Sequence, residues 1–349
     1  MIKSLLSFPG GRRVSENPYV QTLSTALDAL GVEVRPYQPL NPLQSADALH
    51  IHWLEMLYMG RFTSRSAAIT EYACANMMAT MGRIKRRGGR VVWTAHNLKP
   101  HEPPPGAQAK VWSRWRSRLM SQVDSVICMS PTIMDAVREA NPEVAGARFV
   151  HAPHPHMRLS YTDWASREAT RGRLDVPESA RLTGVVGLIR PYKNVPETIA
   201  LFNAVRREDE YLLVAGQCFD PATRAATEAA SRGAPGIRLV METLTDQDFA
   251  SFLHACDNAL FNFPSILNSG SLMTALSLDV PVMAPRRGGL GEIGEAVGED
   301  WCQLFEPPLT DAMLRALLDR GRAHKTSGRP DLSAFEPSRV AEMQVLAYE

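Results

Sequence analysis

The sequence predicts an α/β protein made of two halves in series, each with a parallel sheet covered by helices on both faces. Three observations carry that expectation. At 349 residues the chain is longer than one hydrophobic core usually supports. Short β-rich runs alternate with stretches of helical apolar spacing, the rhythm of strand–helix–strand crossovers. That rhythm restarts after residue 180, which divides the chain into segments 1–160 and 161–335, with a linker near 152–180. A last helical stretch, 336–349, carries Val340, Met343 and Leu346 on a face able to pack back on the N-terminal half.

In order along the first half, Ser4–Phe8 reads as a strand and Pro9-Gly10-Gly11-Arg12-Arg13 as a turn-rich loop. A helix over Pro18–Leu30 places Val20, Leu23, Leu27 and Leu30 on one face, and Gly31 ends it. Strands follow at Val32–Tyr37 and Ala48–Trp53, then a helix over Ser66–Arg87 with Ile69, Tyr72, Ala73, Met77, Met81 and Ile84 in register. Arg90–Thr94 and Ser125–Cys128 are further strands, and Ser130 before Pro131 is the expected cap of a helix reaching Ala140. In the second half, strands at Leu182–Leu188, Tyr211–Ala215, Ile237–Met241, Asn258–Phe261 and Val280–Ala284 alternate with helices at Pro196–Val205, Asp246–Ala255 and Ser271–Leu278.

Composition narrows the class. Hydrophobic residues make up 45% and charged residues 21%, ordinary for a soluble globular protein. No uninterrupted apolar run reaches the roughly 18 residues of a membrane span, and the start, Met-Ile-Lys-Ser-Leu-Leu-Ser-Phe-Pro, is too soon broken for a secretory signal. Five cysteines (Cys74, Cys128, Cys218, Cys256, Cys302) are scattered, odd in number and without Cys-x-x-Cys, as buried thiols are in a reducing compartment. A cytoplasmic location is expected. The net charge of +1 hides an asymmetry. Residues 1–160 hold 19 Lys/Arg against 11 Asp/Glu, a net +8, which leaves −7 for the rest. Between Arg83 and Arg118 ten basic residues face one acid, Glu102, a patch suited to a lipid phosphate, a membrane surface or a nucleic acid.

Ligands of open α/β sheets bind beyond the carboxyl ends of the strands, so polar groups there are the candidates. Phe263-Pro-Ser-Ile-Leu-Asn-Ser-Gly-Ser271 runs from a strand into an apolar helix. Free N–H groups and the positive end of the helix dipole suit a diphosphate beside Ser269, Gly270 and Ser271; the plain alternative is a well-capped helix. Gly187-Leu-Ile-Arg-Pro-Tyr-Lys-Asn194 places Arg190 and Lys193 after a strand, where both can hold the charge of a departing diphosphate in place of a metal. In the first half, His50-Ile-His-Trp-Leu-Glu55 and Thr94-Ala-His-Asn-Leu-Lys-Pro-His-Glu102 close successive strands. Glu55, His96 and Glu102 are the general-base candidates. His50 and His52 are read as pointing to opposite faces of their strand, at least one into the core. His151-Ala-Pro-His-Pro-His156 has no carboxylate or cysteine at ligand spacing, so no metal site is expected. Lys110–Val123 sets Val111, Trp112, Trp115, Leu119 and Met120 on one helical face flanked by basic residues, a pattern of either a membrane-interface helix or an ordinary core helix.

The stretch Phe263–Pro285 resembles the donor-site segment of GT-B glycosyltransferases, two Rossmann-like domains whose parallel sheets face an interdomain cleft. The whole chain is similar to the bacterial exopolysaccharide β-mannosyltransferases typified by the xanthan-pathway enzyme. The matching pieces are Asn17-Pro-Tyr, Leu49-His-Ile-His-Trp-Leu-Glu55, Thr94–Glu102, Gly187-Leu-Ile-Arg-Pro-Tyr-Lys193, Asn268-Ser-Gly, Ala275-Leu-Ser-Leu278 and Pro281-Val-Met-Ala-Pro285. The resemblance implies an N-terminal acceptor domain and a C-terminal donor domain. It implies an inverting, metal-independent transfer of mannose from GDP-mannose to a lipid-diphosphate-linked oligosaccharide, by an enzyme peripheral on the inner face of the membrane and held there by its basic N-terminal domain. It implies Arg190 and Lys193 as diphosphate contacts, Asn268, Ser269 and Gly270 as the donor loop, and Glu242 and Glu292 near base or sugar. Retaining relatives keep two glutamates about the donor loop; Asn268 and Thr274 stand there in this chain. A UDP-sugar donor, an epimerase of the same fold, and a nucleic-acid module using the Arg83–Arg118 patch are the alternatives. No RNA-binding motif accompanies the patch, and nucleic acid is not the expected partner.

Overall fold

The computed structural model describes residues 2–10, 18–60, 66–98, 104, 106–323 and 328–349. The chain divides into two compact units, Met1–Pro155 with Phe335–Glu349, and His156–Ala334.

The first unit runs β1 (Ser4–Phe8), α1 (Pro18–Ala29), β2 (Glu33–Pro36), β3 (Ala48–Ile51), α2 (Met56–Met59), α3 (Ala67–Arg86), β4 (Arg90–Thr94), α4 (Ala107–Met120), β5 (Ser125–Cys128), α5 (Met134–Ala140) and β6 (Arg148–His151). Among the described residues its sheet has six parallel strands in the order β2-β1-β3-β4-β5-β6. The central strands β3 and β5 are buried along their whole length, as strands covered on both faces must be. Edge strand β2 is mostly exposed.

The second unit continues with α6 (Arg167–Arg173), β7 (Arg181–Val186), α7 (Val195–Val205), β8 (Glu210–Ala215), α8 (Pro221–Ser231), β9 (Ile237–Val240), α9 (Asp246–Ala255), β10 (Asn258–Leu260), α10 (Gly270–Ser277), β11 (Val282–Pro285), α11 (Gly289–Val297), β12 (Cys302–Phe305) and α12 (Asp311–Ala323). Its six described strands, again parallel, lie in the order β12-β11-β10-β7-β8-β9. Counted from β7 as first, that is the 3-2-1-4-5-6 order of a Rossmann sheet, with its reversal point between β7 and β10. In the first unit the reversal falls between β1 and β3. One side of the second sheet is filled by Val195, Ile199 and Phe202 of α7 and by Leu314, Leu317 and Leu318 of α12.

The chain then returns: α13 (Pro337–Val345) packs on α1 within the first unit. Buried Gln344 donates from Nε2 to the Tyr19 hydroxyl at 3.2 Å.

Two expectations are corrected, and a choice left open is decided. The segment read as a linker holds α6, pinned by the buried Arg171, which donates to the carbonyls of Ala255, Pro177, Glu178 and Ala180 and to Asp257. A run as polar as Arg-Glu-Ala-Thr-Arg-Gly-Arg gives no apolar periodicity to read; its order comes from partners far along the chain. Ser130 does not cap an α-helix: its hydroxyl pairs with Thr132 Oγ1 at 2.7 Å, Pro131–Ile133 is a 3₁₀ turn, and α5 starts only at Met134. The tryptophan stripe of α4 is not a free face. Trp112 is 8% exposed and edge-on to Tyr58 at 4.9 Å, and half-buried Trp115 donates to Glu71 on α3 at 2.7 Å. The apolar side of α4 covers the unit's own core. Among the described residues no helix is long and apolar enough to cross a membrane, and all five cysteines are free and buried.

Candidate functional site

In the second unit the two loops at the sheet's reversal point carry the candidate phosphate ligands. After β7 the chain passes Gly187 at φ 122° and enters the turn Pro191–Lys193. Gly216, after β8, stacks so closely that a Cβ there would sit 2.2 Å from the Gly187 carbonyl oxygen, and Ile189 bridges to Cys218. A carbon placed on Gly187 would lie 3.0 Å from Ser271 Oγ and 3.5 Å from Lys193 Nζ. Lys193 and the first turn of α10 therefore meet over one bare glycine.

Lys193 is buried, its Nζ lies 5.6 Å from the Phe263 ring centroid, and among the described residues it forms no salt bridge. Burial and then the neighbouring charge of Arg190 lower its pKa to about 8, so it is still charged at neutral pH. Arg190 lies over the Phe219 ring at 6.0 Å.

The helix α10 begins at Gly270, one residue earlier than expected, and Ser269 caps it by accepting from the Leu272 N–H at 3.2 Å. The capping and phosphate readings of this loop are compatible, because the Ser269 hydroxyl keeps its own proton to donate. Among the described residues Asn268 Nδ2 is buried with no hydrogen-bond partner. A buried unpaired amide is costly unless something else accepts from it. The loop is backed by the start of α11, where Gly289 N–H donates to the Leu267 carbonyl at 2.8 Å and a Cβ on Gly288 would strike the Ile266 and Leu267 carbonyls. Half-buried Glu292 stands in the first turn of that helix. Glu242 is exposed just beyond edge strand β9, away from the reversal point. A larger cavity, about 510 Å³, lies beside α7 and α12 and is lined by Asn194, Glu197, Asn262 and Asp311. It touches none of the candidate donor residues.

In the first unit, the loops after β3 and β4 bring histidines together. His50 and His52 do not point to opposite faces: residues two apart on a strand share a face, and their rings lie 4.1 Å apart. His50 is held by Thr94 Oγ1 at 2.7 Å and by the Tyr348 hydroxyl at 2.9 Å, the latter brought by the returning C-terminus. His52 Nδ1 and His96 Nε2 are 3.4 Å apart, and His96 stacks on Trp53 at 4.1 Å. The Tyr19 ring meets His52, His96 and His154 edge-on. Burial lowers all four histidines, His52 to about 3 and His154 to about 4, with His50 and His96 well below the usual imidazole range. They are neutral at pH 7. No group of His, Cys, Asp or Glu able to hold a metal occurs among the described residues.

Glu55 and His96 line one small cavity, about 30 Å³, with Trp53, Asn97, Arg116 and Asn141. Arg116 is fixed there by Glu143 at 3.0 Å and by Asn141. Burial raises the Glu55 pKa, with the Arg116 charge partly offsetting it. Glu102 lies outside the described residues. Arg116 and Tyr348 are site neighbours that the sequence reading did not single out. Arg116 was read as part of the basic patch and as a flank of the tryptophan stripe, and nothing local connects Tyr348 to a histidine 298 positions away.

No family model matches the sequence. Two curated relatives from Xanthomonas campestris pv. campestris, both named GDP-mannose:glycolipid 4-beta-D-mannosyltransferase, are 28% identical over 340 and 337 residues, 95% of this chain and 88% of theirs. Among solved structures, sucrose-phosphate synthase from Thermosynechococcus elongatus matches with a TM-score of 0.61 at 14% identity over 99% of this chain and 94% of its own. HepE from Anabaena in complex with UDP-glucose matches at 0.60 and 15%, over 99% and 94%. WaaG, a glycosyltransferase involved in lipopolysaccharide biosynthesis, matches at 0.57 and 14%, over 99% and 95%. At such identities the structural likenesses speak for the fold alone.

Proposed function

We propose that this chain, a glycosyltransferase of the GT-B fold, moves mannose with inversion from GDP-mannose to a lipid-linked saccharide at the cytoplasmic face of a membrane. The observation that carries the reading is Lys193: a buried cation beside Arg190, without a salt bridge among the described residues, meeting a capped helix start over Gly187. A buried cation close to Arg190, itself without a salt bridge among the described residues, suits an anion site. Mannose and guanine come from the two curated relatives, and the glycolipid acceptor from their shared name. The oligosaccharide diphosphate acceptor and a role in exopolysaccharide synthesis follow from the family resemblance. Inversion accords with Asn268 and Thr274 standing where retaining relatives keep glutamates.

In this reading the second unit, 161–335, holds the donor and the first, 1–160, the acceptor, with 336–349 completing the first. The acceptor hydroxyl attacks the anomeric carbon, a C–O bond forms, the bond to the phosphate oxygen breaks, and GDP leaves. Arg190, Lys193, the Ser271 hydroxyl, the Asn268 amide and the first N–H groups of α10 take up the charge that develops on the diphosphate, the task a metal performs in other transferases. Ser269 and Gly270 let it approach. Glu292, on the helix that backs the donor loop, is the nearer candidate contact to base or sugar, and Glu242, beyond edge strand β9, the more distant one. The proton goes to Glu55. A general base works best with a pKa near the working pH; burial moves Glu55 towards that range and moves His96 away from it. His96 then orients the acceptor, and Glu102 is the remaining candidate.

The test is ligand-linked stability. GDP-mannose at about a hundred times its Kd is expected to stabilise the protein by about 2.7 kcal/mol, with UDP-glucose and dTDP-glucose shifting the melting point less. Lys193→Ala is expected to melt like the wild type without ligand and to lose most of that shift. It is also expected to lose about two to three orders of magnitude in turnover, the scale of removing one charge-stabilising group. Wild-type ligand stabilisation in Lys193→Ala would remove the donor assignment, and a stronger response to UDP-glucose would change the donor.

A further inference from the structure

The connection from β2 to β3 is tightly fixed, yet it turns its apolar side chains outward. Gln44 accepts from the Gln38 N–H at 2.7 Å and donates to the carbonyls of Gln38 and Asn41 at 2.6 and 2.8 Å. Asn41 Oδ1 accepts from the Leu43 N–H at 3.1 Å. From α3, Asn76 donates to the Pro39 and Asn41 carbonyls at 2.8 and 2.9 Å. At the tip of this structure Leu43 is 90% exposed and Leu40 42%, with Pro42 exposed between them. Single exposed leucines are ordinary on a protein surface. Two leucines on one rigid tip are different, because the ordering has been achieved without burying either.

The same tip is ringed by arginines. Arg35 donates to the Ser45 carbonyl at 2.9 Å, Arg83 to the Gln44 carbonyl at 3.4 Å, and Arg87 to Ser45 Oγ. Exposed Arg86 lies on the same last turn of α3. The acids alongside are engaged: Glu33 is 3.7 Å from Arg35, and Asp47 accepts from the Lys3 and Ser4 N–H groups. An apolar wedge with guanidinium groups around its base matches the two layers of an anionic lipid surface, acyl chains below and phosphates above.

We propose that Leu40 and Leu43 enter the acyl boundary of an anionic membrane while Arg35, Arg83 and Arg87 hold its phosphates. This deepens the membrane-surface part of the proposed function and rests on it. It moves the contact from the tryptophans of α4, which face the core, to the β2–β3 connection.

Co-sedimentation with vesicles of phosphatidylcholine, with and without phosphatidylglycerol, tests it. The wild type is expected to bind the anionic vesicles. Leu40→Ser with Leu43→Ser is expected to weaken binding about tenfold or more, since burying one leucine contributes about 1.5 kcal/mol or more. Arg83→Gln and Arg87→Gln are each expected to weaken it about fivefold, an effect that disappears on neutral vesicles. The melting temperature and the GDP-mannose shift of the leucine variant should match the wild type, because the leucines are outside the core, and the GDP-mannose shift of the arginine variants should match it too; these readouts follow the fold and the donor site separately from lipid binding. Leucine variants that sediment like the wild type would overturn the proposal, as would a wild type that ignores anionic vesicles. A wild type that self-associates through Leu43 in sedimentation velocity without binding lipid would assign the tip to a second copy of the chain and overturn it too.

Discussion

Glu55→Gln is expected to fold at least as stably as the wild type at neutral pH and to lose about 10² to 10⁴ of its turnover, the range contributed by a general base. The two halves of that expectation share one cause. Burial raises the Glu55 pKa, and Arg116 only partly offsets it. A carboxyl whose folded pKa lies above its unfolded value contributes stability at low pH and loses it as pH rises through the folded pKa. At pH 7 the buried carboxylate is therefore a burden on the fold, which glutamine relieves while it removes the proton acceptor. The pH profile separates catalysis from damage. Wild-type kcat/KM should rise with pH along an acid limb set by the raised pKa of Glu55, and the limb should be absent in Glu55→Gln. A variant with full turnover, or one with the limb intact, would transfer the base role to His96 or Glu102. His96→Gln with KM raised and kcat little changed would fit acceptor orientation.

Acid should unfold this protein early. His52 and His154 are held neutral by burial, with folded pKa values of about 3 and about 4, while an unfolded histidine titrates near about 6.5. With folded pKa values depressed, their contribution is complete above about pH 6.5 and is lost as pH falls towards the folded values. At pH 5 each has lost about 2 kcal/mol, about 4 kcal/mol for the pair, against a typical total of about 5–15 kcal/mol. His50 and His96 act in the same direction. Urea unfolding followed by tryptophan fluorescence, with Trp53 and Trp93 near the histidines, should show the midpoint dropping steeply between pH 7 and 5. A flat midpoint down to pH 4.5 would mean that the histidines are already solvated in the native protein.

How much of this was legible in the sequence depends on the range of each interaction. Strands such as Arg90–Thr94 and Ser125–Cys128, and the helix Asp246–Ala255, fell within the expected bounds because β-branched runs, apolar spacing and caps act over a few residues. Arg190, Lys193 and the Ser269–Ser271 loop stood out as candidates because the carboxyl ends of parallel strands are predictable places for ligands, and Lys193 and Ser271 do come together over Gly187. The small errors have local causes: the Thr132 hydroxyl took the Ser130 side chain in place of a helix N–H, and α10 started one residue early because Ser269 supplied the cap itself. The opposite-face reading of His50 and His52 was a mistake of strand geometry that the sequence already contained the means to avoid.

The sequence by itself determined the two-unit α/β class, the strand ends where the candidate groups gather, and the identity of the cations and carboxylates placed there. Tertiary structure alone decided which of those groups share a surrounding. It set Lys193 against Ser271 over Gly187, closed Glu55 into a cavity with Arg116, joined Tyr348 to His50, and turned Trp112 inward while leaving Leu43 outside. The physical reason is that propensity and capping are properties of neighbours in the chain. Burial, pKa and hydrogen-bond partnership are properties of neighbours in space, which only the completed packing brings together.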